Sequence, residues 1–289
     1  MTGGRIAALL WCFLAPGTAA ADWIADFEAG RIHESNLPRA QLRSDIRSDA
    51  AAVASASLTH FSMLDDRNGL TFGADLRAVE YDHVSGLSNY ELGAVLGIRS
   101  KFGLGLSAPW VKAQARAARQ YYRNDARDAM RYELGASVGK RFGERFEAVL
   151  GLSYDKRDGK HDRPVATGIS GAAFDVQGRT ASLQTSYDVD ESWQLQAGFS
   201  VRKGGVVSST RRNFAIFQAS SAIAADPAFG PDYFAYALPG TTRTFTFGVS
   251  RALGTRASIN LGAARELTSA RSNLDYRNTS VQAAFAYRY

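Results

Sequence analysis

The feature that most constrains this chain is a period-two alternation of apolar and polar side chains that recurs, segment after segment, from Asp22 to the final Tyr289. Successive side chains of a strand point to opposite faces, so such alternation describes strands with one face in an apolar medium and the other in water. In the segment 70–80, Leu70, Phe72, Ala74, Leu76 and Ala78 share one face, whereas Thr71, Gly73, Asp75 and Arg77 share the other. The segments 90–102, 130–142, 146–157 and 193–202 repeat the pattern, and no helical period is sustained anywhere. Weaker runs near 22–33, 50–64, 104–121, 174–189, 241–252 and 257–267, and one from Tyr276 onward, bring the total to about twelve strands, an even number as a single-chain membrane barrel requires.

The connections alternate in length, which supports the same reading. Short turns fall at 65–69, around Gly103, and at 143–145, 189–192 and 253–255, and longer polar stretches fall at 34–49, 82–89, 122–129, 158–173, 204–240 and 268–275. Short turns on one rim and long loops on the other are the asymmetry of outer-membrane barrels. A strand of about 12 residues tilted about 45° covers roughly 28 Å, close to a hydrocarbon core. The expected fold is therefore all-β, a transmembrane antiparallel up-and-down β-barrel of about twelve strands in the outer membrane of a Gram-negative cell.

The N-terminus supplies the export signal such a fold needs. Arg5, the apolar run 6–14, Pro16 and the small residues Ala19, Ala20 and Ala21 form a secretory signal peptide, giving a signal segment 1–21 and a barrel 22–289. The single cysteine, Cys12, lies inside the signal, so the mature chain is expected to form neither disulfides nor thiolate metal sites. A net charge of +6 and a pI near 9.5 suggest nucleic acid in a cytoplasmic protein. Export argues against that partner, and the acidic groups within reach are those of outer-membrane lipid and lipopolysaccharide. No run of 18 apolar residues offers a membrane helix, and a mean hydropathy of -0.21 suits a barrel whose two faces average out.

Under this threading the lumen face carries Asp75, Arg77, Glu91, Arg99, Lys101, Arg131, Glu133, Arg141, Glu147, Asp155, Arg157 and Arg202. They read either as a selectivity lining for small polar or anionic solutes or as ion pairs that fill the interior. The lipid face carries Phe102, Phe142, Phe146, Trp193 and Tyr289 near the short-turn rim and Tyr90, Tyr132 and Tyr154 near the long-loop rim, two aromatic girdles. The stretch 204–240 exceeds ordinary loop lengths and holds Arg211, Arg212, Phe214, Phe217, Tyr233, Phe234 and Tyr236. It reads either as a constriction or lid in the barrel mouth, or as an extension of two strands above the membrane. A His-x-Ser pair, His33 and Ser35, is the best constellation for a lipid-active hydrolase, but it sits at a strand end beside Asn36 and Pro38. No catalytic set, metal site or cofactor motif is expected, and the protein is not expected to be an enzyme.

The alternating Val281, Ala283, Phe285 and Tyr287 with a terminal Tyr289 resemble the strand that barrel-assembly machinery reads in bacterial outer-membrane proteins, which implies that machinery as a partner. The stretch Arg271, Ser272, Asn273, Tyr276, Arg277 and Asn278 is similar to the tail of barrels of the surface lipoprotein assembly modifier family. The helical repeat domain of that family has no counterpart in this sequence, and no functional residue transfers. A plugged structural or assembly barrel, whose outer loops bind lipopolysaccharide or a secreted or surface protein, is the alternative to a channel.

Overall fold

Each of the twelve alternating segments forms a strand, and the twelve close on themselves. The computed structural model describes residues 23–289, so the expected signal segment 1–21 lies outside the described residues. In chain order the strands are β1 (Trp23–Glu34), β2 (Asp49–Met63), β3 (Asn68–Tyr81), β4 (Asn89–Lys101), β5 (Trp110–Tyr122), β6 (Ala129–Phe142), β7 (Phe146–Gly159), β8 (Val176–Asp188) and β9 (Trp193–Arg211). There follow a helix α1 (Phe214–Ala219), a short strand β10 (Ala222–Ala225), and then β11 (Tyr233–Ala252), β12 (Ala257–Ala270) and β13 (Leu274–Arg288). Neighbours pair antiparallel throughout; β13 pairs with β1, and β9 pairs with β11, so the sheet has no open edge around its circumference. In lipid, where every backbone donor needs a partner, closure is what permits strands to span.

The faces follow the alternation. Leu92, Leu134 and Leu150 are each 57% exposed on the outside, which is what a lipid-covered surface looks like without its lipid. On the opposite face Arg77, Gln114, Gln196, Thr246 and Gln282 are also exposed, so water reaches the interior and the side chains do not fill it.

Two differences from the sequence reading have physical causes. The strand expected over 104–121 begins only at Trp110, because Gly103 and Gly105 adopt φ of 132° and 85° and turn the chain before Pro109. The strands expected over 193–202 and 241–252 run on to Arg211 and back to Tyr233, paired from Arg251↔Trp193 to Tyr233↔Arg211. This hairpin changes environment at Gly204↔Gly240 and Gly205↔Pro239. A Cβ at Gly204 would lie 2.2 Å from the Gln177 carbonyl oxygen, so only glycine lets β9 leave β8 there.

Candidate functional site: a charged lumen beneath an outer cap

Beyond the glycine pair the alternation in burial ends. Val206, Ser208, Ser209 and Thr210 on β9, and Tyr233, Ala235, Tyr236, Ala237 and Leu238 on β11, are all buried. A ribbon buried on both faces has something packed on each. One face meets Ile216 of α1 together with Leu274 and Tyr276, and the other meets Ala126, Ala173 and Phe174 from the neighbouring outer connections.

The remaining outer connections close around it. The Ser209 amide donates to the Pro38 carbonyl oxygen at 2.7 Å, and the Ile223 amide to the Ser170 carbonyl oxygen at 2.8 Å. Leu37, Val84 and Leu87 pack with Phe229 and Tyr233. Arg127, between β5 and β6, donates to Asp226 through Nε at 3.2 Å and Nη2 at 2.5 Å, and the Ser209 hydroxyl donates to the same carboxylate at 2.5 Å. Asp226 is fully buried, and a charge there needs this pairing to be tolerated. The hairpin with 212–232 is thus a cap over the outer mouth, touched by all five other outer connections. The two readings of 204–240 are combined: the strands do extend, and they fold over the mouth.

Of the residues singled out in that stretch, Tyr233 and Tyr236 are buried in the cap. Arg211 reaches Asp45 at 3.7 Å, Arg212 stacks over Phe234, Phe217 packs against the core around Ile216, and Phe214 is exposed to solvent.

Below the cap the pairing register turns every lumen residue named from the sequence inward, and it sorts them. The centre is Arg116, whose guanidinium grips Asp75 (Nε to Oδ1 3.0 Å) and Glu91 together. Gly93 leaves the space for this contact, since a Cβ there would lie 2.8 Å from Arg116 Nη2. Glu91 also accepts from Gln120 at 2.5 Å; Gln120 in turn accepts from Arg157 Nε at 3.1 Å, and Arg157 donates to the Arg127 carbonyl oxygen at 2.5 Å. A continuous hydrogen-bonded line therefore runs from the mid-lumen Asp75 to the cap.

Other inward groups pair locally. Arg202 binds Asp155 through two bonds of 2.9 and 2.7 Å, Arg131 pairs with Glu133, and Arg141 pairs with Asp188. Glu147 accepts from Trp110 Nε1 at 3.2 Å. By contrast Arg77, Arg99, Lys101 and Lys112 reach no carboxylate among the described residues. Arg99 and Lys112 are cross-strand partners toward the short-turn rim, and Arg99 lies over the Trp110 ring, 4.5 Å from its centroid. Like charges facing each other are unfavourable unless water or an anion intervenes.

The opposite wall differs. A cavity of about 690 Å³ is lined there by Gln184, Ser186, Gln196, Ser250, Asn260 and Gln282, and a second of about 740 Å³ lies among Ser55, Asp75, Arg77, Arg131 and Arg288. One half of the lumen carries most of the charge; the other is mostly neutral and polar, with Glu28 and Glu147 as its charged side chains.

Reasoning from sequence missed Lys112 and Arg116. Their signal was present, since Val111, Ala113, Ala115 and Ala117 alternate with Lys112, Gln114 and Arg116, but a strand begun at 104 hid which face they occupied. Arg127 and Asp226 left no local signal.

Outside, Tyr90 stacks on Tyr121 at 4.8 Å, and Phe142 packs on Phe146 at 6.0 Å. Tyr132 is paired with Ala117 and Lys156, and Tyr154 with Leu134 and Arg179. Phe102, Trp193 and Tyr289 lie exposed at the short-turn rim. Ser35 is engaged structurally, its hydroxyl oxygen accepting from the Thr279 amide at 2.8 Å and its proton directed to Asn278 at 3.4 Å.

No protein-family model matches the sequence, and no curated protein matches it. Among solved structures, an outer-membrane channel from Pseudomonas putida F1 superposes with a TM-score of 0.63 at 14% identity, covering 96% of this chain and 100% of that one. The NanC porin follows at a TM-score of 0.47 and 6% identity, covering 90% and 98%. The channel DcaP of Acinetobacter baumannii gives 0.44 at 8% identity, covering 96% and 100%. The first of these carries the fold: the chain is a closed, twelve-stranded antiparallel barrel of the outer-membrane type.

Proposed function

We propose that this barrel is a non-enzymatic channel that passes small polar or anionic solutes, with the unpaired lumen cations setting ion preference and the outer cap limiting access. The observation that carries the reading is a hollow interior with exposed polar side chains, in which Arg77, Arg99, Lys101 and Lys112 form no ion pair with a carboxylate among the described residues. Side chains that merely filled the barrel would be paired and dry. Cations left free in a confined aqueous passage raise the local concentration of anions.

The test is conductance in planar bilayers. The wild-type barrel is expected to give discrete channels whose reversal potential in a salt gradient favours anions, and a triple replacement of Arg99, Lys101 and Lys112 by Ser moves that potential toward cations. Correctly folded protein that leaves bilayers silent with the cap deleted overturns the reading. Removing the cap first separates a shut channel from a barrel that conducts nothing.

The similarity of 271–278 to surface lipoprotein assembly modifier barrels supports no second reading here. Leu274, Tyr276 and Asn278 are buried against the cap and β1, which accounts for those residues by packing.

A further inference from the structure

On the outside of the barrel, the rim under the long loops carries several cations, of which three have an acidic partner among the described residues. Lys156 pairs with Asp158 at 2.8 Å, Arg123 with Glu80 at 2.7 Å, and Arg31 with Asp82. One group does not. Arg179 and Lys203 are direct cross-strand partners, both exposed, and Arg243, opposite Val201, lies one diagonal step from Lys203 on the same outward face. None of the three reaches a carboxylate among the described residues. Like charges placed directly opposite each other destabilise a sheet, and an anion from outside the chain would relieve that. Arg179 is also the cross-strand partner of Tyr154, at the headgroup level where tyrosines anchor barrels.

Two of these strands, β8 and β9, end a groove in the lipid-facing wall, and Arg243 lies just beyond its end. A concavity of about 1150 Å³ runs from Leu96 and Ile98 to Arg179 and Lys203. Its floor is Ala113, Ala115, Ala136 and Ala181, and Leu134 and Leu152 stand above that floor. Small residues in a row between leucines leave an apolar depression in the wall. The space exceeds the range of about 300–1,000 Å³ that suits a drug-sized molecule. Apolar along its length and cationic at its outer end, it has the polarity of an outer-leaflet lipid whose phosphate sits at the rim.

We propose that this groove is a binding site for a phosphorylated, multiply acylated glycolipid, the lipid A part of lipopolysaccharide, with its acyl chains over the alanine floor and a phosphate held by Arg179, Lys203 and Arg243. The site is independent of conduction through the lumen.

The experiment measures lipid A retained per barrel by mass spectrometry after extraction of the full-length protein from outer membranes. Arg179→Ala, Lys203→Ala and Arg243→Ala together are expected to lower retention roughly 100-fold, about fivefold for each cation near an anionic surface. Lys156→Ala, at the same rim but paired, leaves retention within twofold of wild type, a margin well under one cation's fivefold share. Ala115→Phe, which fills the groove floor, lowers it without touching a charge. Should the triple variant not assemble, the wild-type barrel is titrated with lipid A and with dephosphorylated lipid A, and the phosphorylated form is expected to bind more tightly. Unchanged retention in the triple variant, a loss with Lys156→Ala as large as with the triple variant, equal binding of the two lipid A forms, or equal affinity for phosphatidylglycerol vesicles overturns the proposal.

Discussion

The upper end of the β9–β11 hairpin and the strands below it are built from the same residue types, yet they live in opposite environments. In the cap, a cation such as Arg127 sits against a fully buried Asp226 and under the rings of Phe174 and Phe229. In the lumen, Arg99 and Lys112 are direct cross-strand partners and form no ion pair with a carboxylate among the described residues. The difference shows where the chain places specificity and where it leaves freedom. Above the glycine pair at 204 and 240 the buried acids Asp226 and Asp45 are each matched by an arginine, which helps fix one arrangement of the loops. Below it, ion pairs alternate with a few unmatched cations, Arg77, Arg99, Lys101 and Lys112, that face the open interior and act on whatever enters.

The sharpest way to break this comparison is to remove the upper half. Replacing 212–232 with a short turn is expected to raise single-channel conductance several-fold, because the outer connections lose Ile216, Ile223, Asp226 and Phe229, against which they pack. Barrel assembly is expected to persist, since the pairings β8–β9 and β9–β11 below residue 204 are untouched. Conductance equal to that of the full chain would mean that the cap does not limit access.

A smaller effect follows from breaking the cap's central ion pair. Asp226→Ala strands Arg127, whose side chain is 14% exposed, against apolar surroundings, and removal of one partner of such a pair costs about 3–5 kcal/mol. The cost falls on the cap and not on the barrel. Limited proteolysis should therefore cut within 212–232 in the variant, while the heat-modifiable band of the folded barrel remains. A variant as protease-resistant as wild type would show that the apolar contacts of Phe229 and Tyr233 hold the cap without the charge pair.

Within the lumen the effect is electrostatic and smaller again. Arg116 alone gathers Asp75 and Glu91, so Arg116→Ala leaves two carboxylates facing the passage. A unit charge about 6 Å from a passing ion in a water-like medium is worth about 0.7 kcal/mol, roughly threefold in permeability ratio. Reversal potentials should move toward cations by that amount, and the shift should shrink as salt rises and screening shortens. A shift toward anions would contradict the assigned face of β5.

How much of this was legible in the sequence follows from the same division. The lipid and lumen faces of β3, β4, β6 and β7 could be read because each side chain there answers to one of two media, and a period of two records the choice. On β5 the record was equally clear from Trp110 onward, but beginning the strand at 104 blurred it. The cap could not be read this way. Val206 and Ser209 are buried although they point to opposite faces of one strand, and Arg127 meets Asp226 across 99 positions of sequence. Contacts between distant loops leave no periodic trace, and the aromatic content of 204–240 gave notice only that something packs there.

The mildest test concerns the rim where cap and barrel meet. The loop after β3 is pinned by Asp49, which accepts from the backbone amides of His83 and Val84 at 2.9 and 2.8 Å and lies 2.9 Å from His83 Nδ1. The hydrogen bond and charge of Asp49 hold the exposed His83 imidazole above its ordinary range. A group whose folded-state value is raised stabilises the fold in acid, fully so below its unfolded value, and that contribution is lost as pH rises through the raised one. Amide exchange at Val84, which sits beneath the cap beside Phe229 and Tyr233, should therefore quicken modestly as pH rises through the His83 transition, beyond the ordinary base dependence of exchange. Asp49→Asn should return the His83 resonance to an ordinary imidazole titration and remove the step. A wild-type titration at or below the ordinary imidazole range would mean that this edge of the cap is held by backbone and apolar contacts alone, and the division between a fixed cap and a responsive lumen would then be complete.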